Sequence, residues 1–228
     1  MSHFILAAYY EPSHNIAIDI ESYIKNYSNI YLLYGPELHF NKTTAISKGI
    51  ELSTRISSNN YDILFNYTLS RCKYRDFISR YDKTHIFNIS GNKKFDNGKS
   101  SFGFNWNFSS GFPYTPVVGK YPLIHNYSDN IFNNIFIPKR FSRKLYNGIR
   151  NSARYPVYHR LDISYKRYFE TKKYKLTFVL QVLNVYNRKN HLAHYGGIAD
   201  INNNFVYQKK FIGYFPRIPT IGLMFELK

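Results

Sequence analysis

Nine short segments of this sequence alternate apolar and polar residues. That period of two most constrains the fold, because it requires strands whose two faces meet different surroundings. The last segment shows it most cleanly. In Thr220-Ile221-Gly222-Leu223-Met224-Phe225-Glu226-Leu227 every odd position is a large apolar residue, and most even ones are small or polar. The connections between the nine segments alternate short and long. Strands of this kind on alternating hairpins predict part of a transmembrane β-barrel, with lipid on one side and a watery lumen on the other.

Composition agrees. Of 228 residues, 19% are aromatic, with 23 Tyr, 19 Phe and one Trp. Few core positions of a soluble domain accept so many rings, whereas outer-membrane barrels place them on the lipid face and in interfacial girdles. No run approaches the roughly 18 apolar residues that a transmembrane helix needs. A mean hydropathy of −0.42 is compatible with a barrel, since each strand is only half apolar and the loops are polar. The single cysteine, Cys72, excludes an internal disulfide and reads as a bystander. The amino terminus lacks a basic leader and already alternates, with Phe4, Leu6, Ala8 and Tyr10 on one face. An exported protein needs a signal, so the natural start is expected upstream and the chain is expected to be a fragment.

The other strands read as follows. The second runs from Ile16 to Lys25, and the third from Gly49 to Ser57 with Ile50, Leu52 and Ile56 on one face. The fourth sets Ile63, Phe65, Tyr67 and Leu69 against Asn66, Thr68 and Ser70. The fifth is a short segment from His85 to Ser90, and the sixth turns Phe102, Phe104, Trp106 and Phe108 away from Gly103, Asn105, Asn107 and Ser109. The seventh holds Leu161, Ile163 and Tyr165; the eighth holds Tyr174, Leu176, Phe178, Leu180 and Val182. Short turns are predicted at Pro12 to Asn15, Ser58 to Asn60, around Asn97-Gly98, and near Thr171-Lys172; Asn-Gly tolerates the positive φ that tight hairpins require. Long connections are predicted at Asn26 to Ser47, Arg71 to Thr84, Ser110 to Pro156 and Asn187 to Pro219, and are read as structureless loops. In a bacterial barrel the long ones lie outside the cell, so the last strand would end in the periplasm. A soluble β-sandwich explains the alternation, but not the short and long connections or the aromatic load.

Six stretches resemble the carboxyl-terminal half of TonB-dependent outer-membrane receptors of the Bacteroidetes type. Ser47-Lys48-Gly49-Ile50-Glu51-Leu52 is similar to the family's S-x-G-x-E strand. Tyr67-Thr68-Leu69-Ser70 with Asp82-Lys83-Thr84-His85 resembles its Y-T-x-S and D-x-x-H pair. Ser110-Gly111-Phe112-Pro113-Tyr114-Thr115-Pro116 resembles SG-x-PYTP, and Arg154 to Asp162 resembles R-x-P-x-Y-x-R-L-D. Val182-Leu183-Asn184-Val185-Tyr186-Asn187-Arg188 is similar to V-x-N-L-F-N-R, and Phe215-Pro216-Arg217 precedes the terminal strand as in x-P-R-x-x-x-x-G. The resemblance implies that residues 1–228 are strands 14 to 22 of a barrel of about 22 strands, with the plug domain and signal peptide absent. It further implies an outer-membrane location in a Gram-negative bacterium and energised uptake of a ferric chelate, cobalamin or an oligosaccharide. The implied partners are outer-membrane lipid and lipopolysaccharide, the barrel-assembly machinery, and TonB only through the missing amino-terminal region. Such barrels commonly finish on an aromatic residue that the insertion machinery reads; here Phe225 is followed by Glu226-Leu227-Lys228.

No enzyme signature is present: no G-x-S-x-G elbow, P-loop, H-E-x-x-H or G-x-G-x-x-G. No catalytic residue, metal or cofactor is expected. His191-x-x-His194 lies in a predicted loop with no third ligand nearby. Asp82 and His85 are expected to form a structural hydrogen-bonded pair, and Arg160 and Asp162 an ion pair inside the barrel wall. The net charge of +17 raises nucleic-acid binding by a basic soluble β-protein as a rival. The aromatics, however, lie on the face opposite the charges, the wrong arrangement for stacking bases beside phosphate contacts, so no nucleic-acid partner is expected. One basic concentration stands out in the longest connection. Lys139, Arg140, Arg143, Lys144, Arg150 and Arg154 are the candidate contacts to a ligand or to surface phosphates. The expected reading is a receptor fragment that does not transport alone; a decayed or passive barrel remnant is the other alternative.

Overall fold

The structure, a computed structural model, describes residues 1–34, 39–124, 141–201, 204–213 and 216–227. Its main body is one antiparallel sheet of nine strands in the order β1, β2, β3, β4, β5, β6, β11, β12, β15. These are β1 (Ser2–Ser13), β2 (Ile16–Tyr34), β3 (His39–Ser57), β4 (Tyr61–Tyr74) and β5 (His85–Phe95). They continue with β6 (Ser100–Ser109), β11 (Tyr158–Glu170), β12 (Tyr174–Leu183) and β15 (Ile218–Leu227). Neighbours in this order are also neighbours along the chain once three small hairpins are set aside, so the sheet is a meander. All nine expected strands are present.

The register puts the apolar faces together. Directly opposed residues on antiparallel strands point to the same side. One such row runs Thr54, Phe65, Ile89, Trp106, Leu161, and the next runs Ile63, Gly91, Phe104, Ile163, Val182. A third joins Lys93, Phe102, Tyr165, Leu180 and Ile221. Phe178 faces Leu223 and Leu176 faces Phe225 on the same side, while Phe108 opposes Phe87 one row beyond Trp106. The opposite face carries Glu21 against Glu51, Asn66 against Asn88, and Ser164 against Gln181.

This sheet buries no apolar core. Among the described residues the buried side chains are polar apart from Pro113, which lies outside the sheet, and the best-covered ones are Asn184, Asn190, Asp82 and Ser79. A water-soluble sandwich does the reverse. At Gly91, which has no side chain of its own to cover the apolar face, a ring fills the gap, since a Cβ there would lie 2.6 Å from the Phe104 ring. The soluble two-layer alternative predicts a closed apolar interior, and these residues do not form one.

The turns on one rim are short. His14-Asn15, Ser58 to Asn60, a 3-10 turn at Asp96–Gly98 and Thr171 to Lys173 join consecutive strands. The third has positive φ at Asp96, Asn97 and Gly98, as its Asn-Gly requires. The other rim corrects the expectation of structureless loops. Asn26 to Ser47 is largely a continuation of β2 and β3, paired as far as Tyr34 and His39. Ser110 to Pro156 contains β8 (Val117–Ile124) paired with β9 (Phe141–Asn147), and β7 (Pro113–Tyr114) paired with β10 (Ala153–Arg154). Asn187 to Pro219 contains the hairpin of β13 (His191–Ile201) and β14 (Asn204–Gly213). Backbone that leaves the sheet still needs partners for its N–H and C=O groups, and pairing in hairpins supplies them. The fifth strand also runs past Ser90 to Phe95, where it pairs with Ser100.

Candidate functional site

The polar groups of the long-connection rim meet at two nodes. At the first, Asp82 is fully covered, and its carboxylate sits 2.6 Å from the Arg154 guanidinium. Arg154 also donates to the carbonyls of Asp82 and Gly111, at 2.8 and 3.0 Å. The other carboxylate oxygen of Asp82 accepts the Cys72 N–H at 2.9 Å. A buried carboxylate of this kind is tolerated only when paired and hydrogen-bonded, and here both conditions hold. Gly111 is required by the close approach of the Tyr155 carbonyl, which a Cβ would meet at 1.8 Å. Beside it the Tyr155 N–H donates to the Phe112 carbonyl, and the Tyr114 and Tyr155 rings lie 4.7 Å apart. The expected pair of Asp82 with His85 is not made. His85 Nδ1 is instead 2.9 Å from the Tyr67 hydroxyl, because residue 85 opens β5 on the apolar face opposite Leu69, whereas Asp82 turns to the segment around Arg154.

The second node is built from the expected ion pair. Arg160 Nη2 lies 2.8 Å from Asp162 Oδ2, and Asp162 Oδ1 accepts the Asn184 N–H at 2.9 Å. Asn184, at φ 53°, folds the chain so that its amide exchanges hydrogen bonds with the backbone of Arg188. Asn190 does the same with the backbone of His159, and the Asn187 side chain accepts the Arg217 N–H. Five of the six recurring sequence motifs therefore meet one another at these nodes. They fasten connections to strands.

The six basic candidates separate. Arg154 belongs to the first node. Arg150 stacks over the Phe77 ring, with its guanidinium carbon 3.9 Å from the centroid. Arg143 and Lys144 lie on β9 opposite Pro122 and Tyr121, with side chains outside the described part of the structure. Lys139 and Arg140 lie outside the described residues altogether. A recess of about 610 Å³ on this rim brings Arg150 together with Lys42 and Arg75, and Asp76 is the one acid lining it. A neighbouring recess of about 420 Å³ shares Thr44 and Arg75 and adds Lys73. Sequence windows missed Lys42, Lys73 and Arg75 because they come from separate connections that only the pairing of β2, β3 and β4 brings together. Nearby, the Lys83 ammonium lies 4.4 Å from the Phe112 ring centroid, and burial pushes its pKa below the usual lysine range.

On the polar side of the sheet Asp162 and Arg160 of β11 stand directly opposite Asn105 and Asn107 of β6. The Asn88 amide donates to Asn105 and Asn107, at 2.9 and 2.6 Å, tying β5 and β6 across their polar faces. No group of three or more metal-ligating side chains occurs among the described residues.

No protein-family model matches the chain, and no curated protein matches it by sequence. Solved structures do. The ferripyoverdine receptor of the outer membrane of Pseudomonas aeruginosa, bound to ferripyoverdine, aligns at a TM-score of 0.55 and 14% identity. The FpvAI receptor in its complex with pyocin S2 aligns at 0.54 and 14%. FpvA of P. aeruginosa bound to a heterologous ferric pyoverdine aligns at 0.52 and 15%. Each alignment covers 98% of this chain and 26% of the other. The chain thus spans about a quarter of these receptors' length, and over that quarter it has their fold: an antiparallel arc of barrel strands.

Proposed function

We propose that this chain is the carboxyl-terminal part of a TonB-dependent outer-membrane receptor, supplying nine strands of the barrel wall and several ligand-side connections. The observation that carries this reading is the inside-out sheet, whose apolar faces are in register across nine strands while its polar face holds the hydrogen-bonded side chains. Strand parity supports it further. In a meander of nine strands the first and last run in the same direction, so β1 and β15 cannot close on each other antiparallel. An odd number of added strands closes the ring, and the thirteen preceding strands of a barrel of about 22 satisfy that. In the parent receptor, import of a ferric chelate, cobalamin or oligosaccharide would use a plug and TonB contact supplied by the rest of the molecule. The cationic rim formed by Lys42, Lys73, Arg75 and Arg150, with the basic stretch Lys139, Arg140, Arg143 and Lys144, would face an anionic ligand outside the cell.

The coding DNA upstream of Met1 tests the architecture, and uptake tests the activity. A frame encoding a plug and further strands, whose joined product imports one of these ligand classes only in energised cells with TonB, is the expected result. A joined product whose uptake is indifferent to TonB and to membrane energisation contradicts the proposal.

A further inference from the structure

The apolar face is not uniform. Near one edge of the sheet a groove of about 510 Å³ crosses β1 to β4. Its floor is Ser22, which stands in a row of larger residues: Leu6 opposes Ser22, Ser22 opposes Ile50, and Ile50 opposes Leu69. A serine where its neighbours carry branched chains leaves a furrow walled by apolar groups. The next row toward the long-connection rim ends the apolar belt, because there Lys48 opposes Ile24 on one side and Arg71 on the other.

Two cations therefore face each other across β3 and β4 at the head of an apolar furrow. No carboxylate lines it. Arg71 is 3.6 Å from Asp82, but the same carboxylate oxygen is held by Arg154 at 2.6 Å, and the Arg71 side chain remains 45% exposed. Lys48 forms no ion pair with any described residue. Like charges in direct cross-strand opposition repel, so the pair favours an anion between them.

We propose that this groove seats a phosphate-headed lipid, its phosphate between Lys48 and Arg71 and one acyl chain along Ser22, Ile50 and Leu69. The occupant is an amphiphile rather than a soluble anion because the cations stand at the end of an apolar belt, the level at which headgroups meet chains. The proposal rests on the outward, lipid-facing orientation of this face.

The test uses the chain in neutral detergent micelles doped with dilute probe lipids, with retained lipid measured by native mass spectrometry. The probes are phosphatidic acid, phosphatidylcholine with the same chains, and soluble glycerol phosphate. Two cations near a headgroup correspond to about a 30-fold preference. Phosphatidic acid should be retained about 30-fold over phosphatidylcholine, and glycerol phosphate should not compete. The preference should vanish in Lys48→Ser/Arg71→Ser. Retention should fall in Ser22→Phe, which fills the furrow without changing charge. Equal retention of both lipids, competition by glycerol phosphate, or retention unchanged in both variants overturns the proposal. Quenching of Trp106, on the same face, by brominated lipid in the same samples separates the two claims. Where Trp106 is quenched and retention is unselective, the lipid seat alone fails; where Trp106 is not quenched, the lipid-facing orientation fails with it.

Discussion

At the residue scale, the rim is held by a few polar side chains whose removal has unequal consequences. Asp82→Ala would leave Arg154 beside an empty, covered position and free the Cys72 N–H, a loss of about 3–5 kcal/mol for breaking a covered ion pair from one side. Denaturant titration of the chain in micelles reads this directly, and a double-mutant cycle with Arg154→Ala should show strong coupling. Gly111→Ala should destabilise by more than about 2 kcal/mol, because the Tyr155 carbonyl is backbone and cannot swing aside. Asp96, in the short turn, behaves differently. Its pKa is held below the ordinary 3.8, first by the hydrogen bond from Arg167 and then by that from Ser100. A carboxyl depressed in the folded state stabilises the turn above the unfolded value, and that contribution is lost as pH falls through the folded one. The protection of amides 96–99 relative to their intrinsic exchange rates should therefore fall below about pH 4, and Arg167→Gln should remove most of that dependence. Sequence alone marked Asp82 and Arg154 separately, one as a partner of His85 and the other as a ligand contact. Their pairing across 72 positions has no local signal.

At the element scale, alternation decides what was legible. β6 and β15 were read almost residue for residue, because every second side chain is large and apolar and turn residues bound them. The outer halves of β2 and β3 were not. The bulge between Tyr27 and Ile30, with Asn29 at φ 58°, shifts the period by one, and the run Ile30-Tyr31-Leu32-Leu33-Tyr34 that follows has no alternation to detect. The hairpin of β13 and β14 was hidden similarly, since Gly196-Gly197 interrupts its pattern. The two faces of one hairpin give a direct contrast. Phe104→Arg on the apolar face of β6 should cost about 2–4 kcal/mol in lipid vesicles. Ser90→Arg, on the polar face of neighbouring β5, should cost less than about 1 kcal/mol. Urea titration of both in the same vesicles measures the difference, and equal costs would remove the distinction between the faces.

At the scale of the whole molecule, an open sheet with one apolar side has two edges to satisfy. All of β1 is exposed, and so is nearly all of β15, so their backbone groups must meet water, detergent or further strands. The isolated chain should therefore aggregate without detergent and remain dispersed with it; a monodisperse, protease-resistant monomer in plain buffer would count against this. The central claim is that the apolar face meets lipid, and the single tryptophan is placed to report it, since Trp106 stands amid that face on the sixth strand. Trp106 fluorescence is measured in vesicles of brominated lipid and again with an aqueous quencher. The comparison is Asn105→Trp in a Trp106→Phe background, one residue away on the opposite face. Strong quenching of Trp106 by brominated lipid, with the pattern reversed at position 105, is the predicted result. Equal access of both quenchers at both positions, or lipid quenching only at 105, would contradict the account.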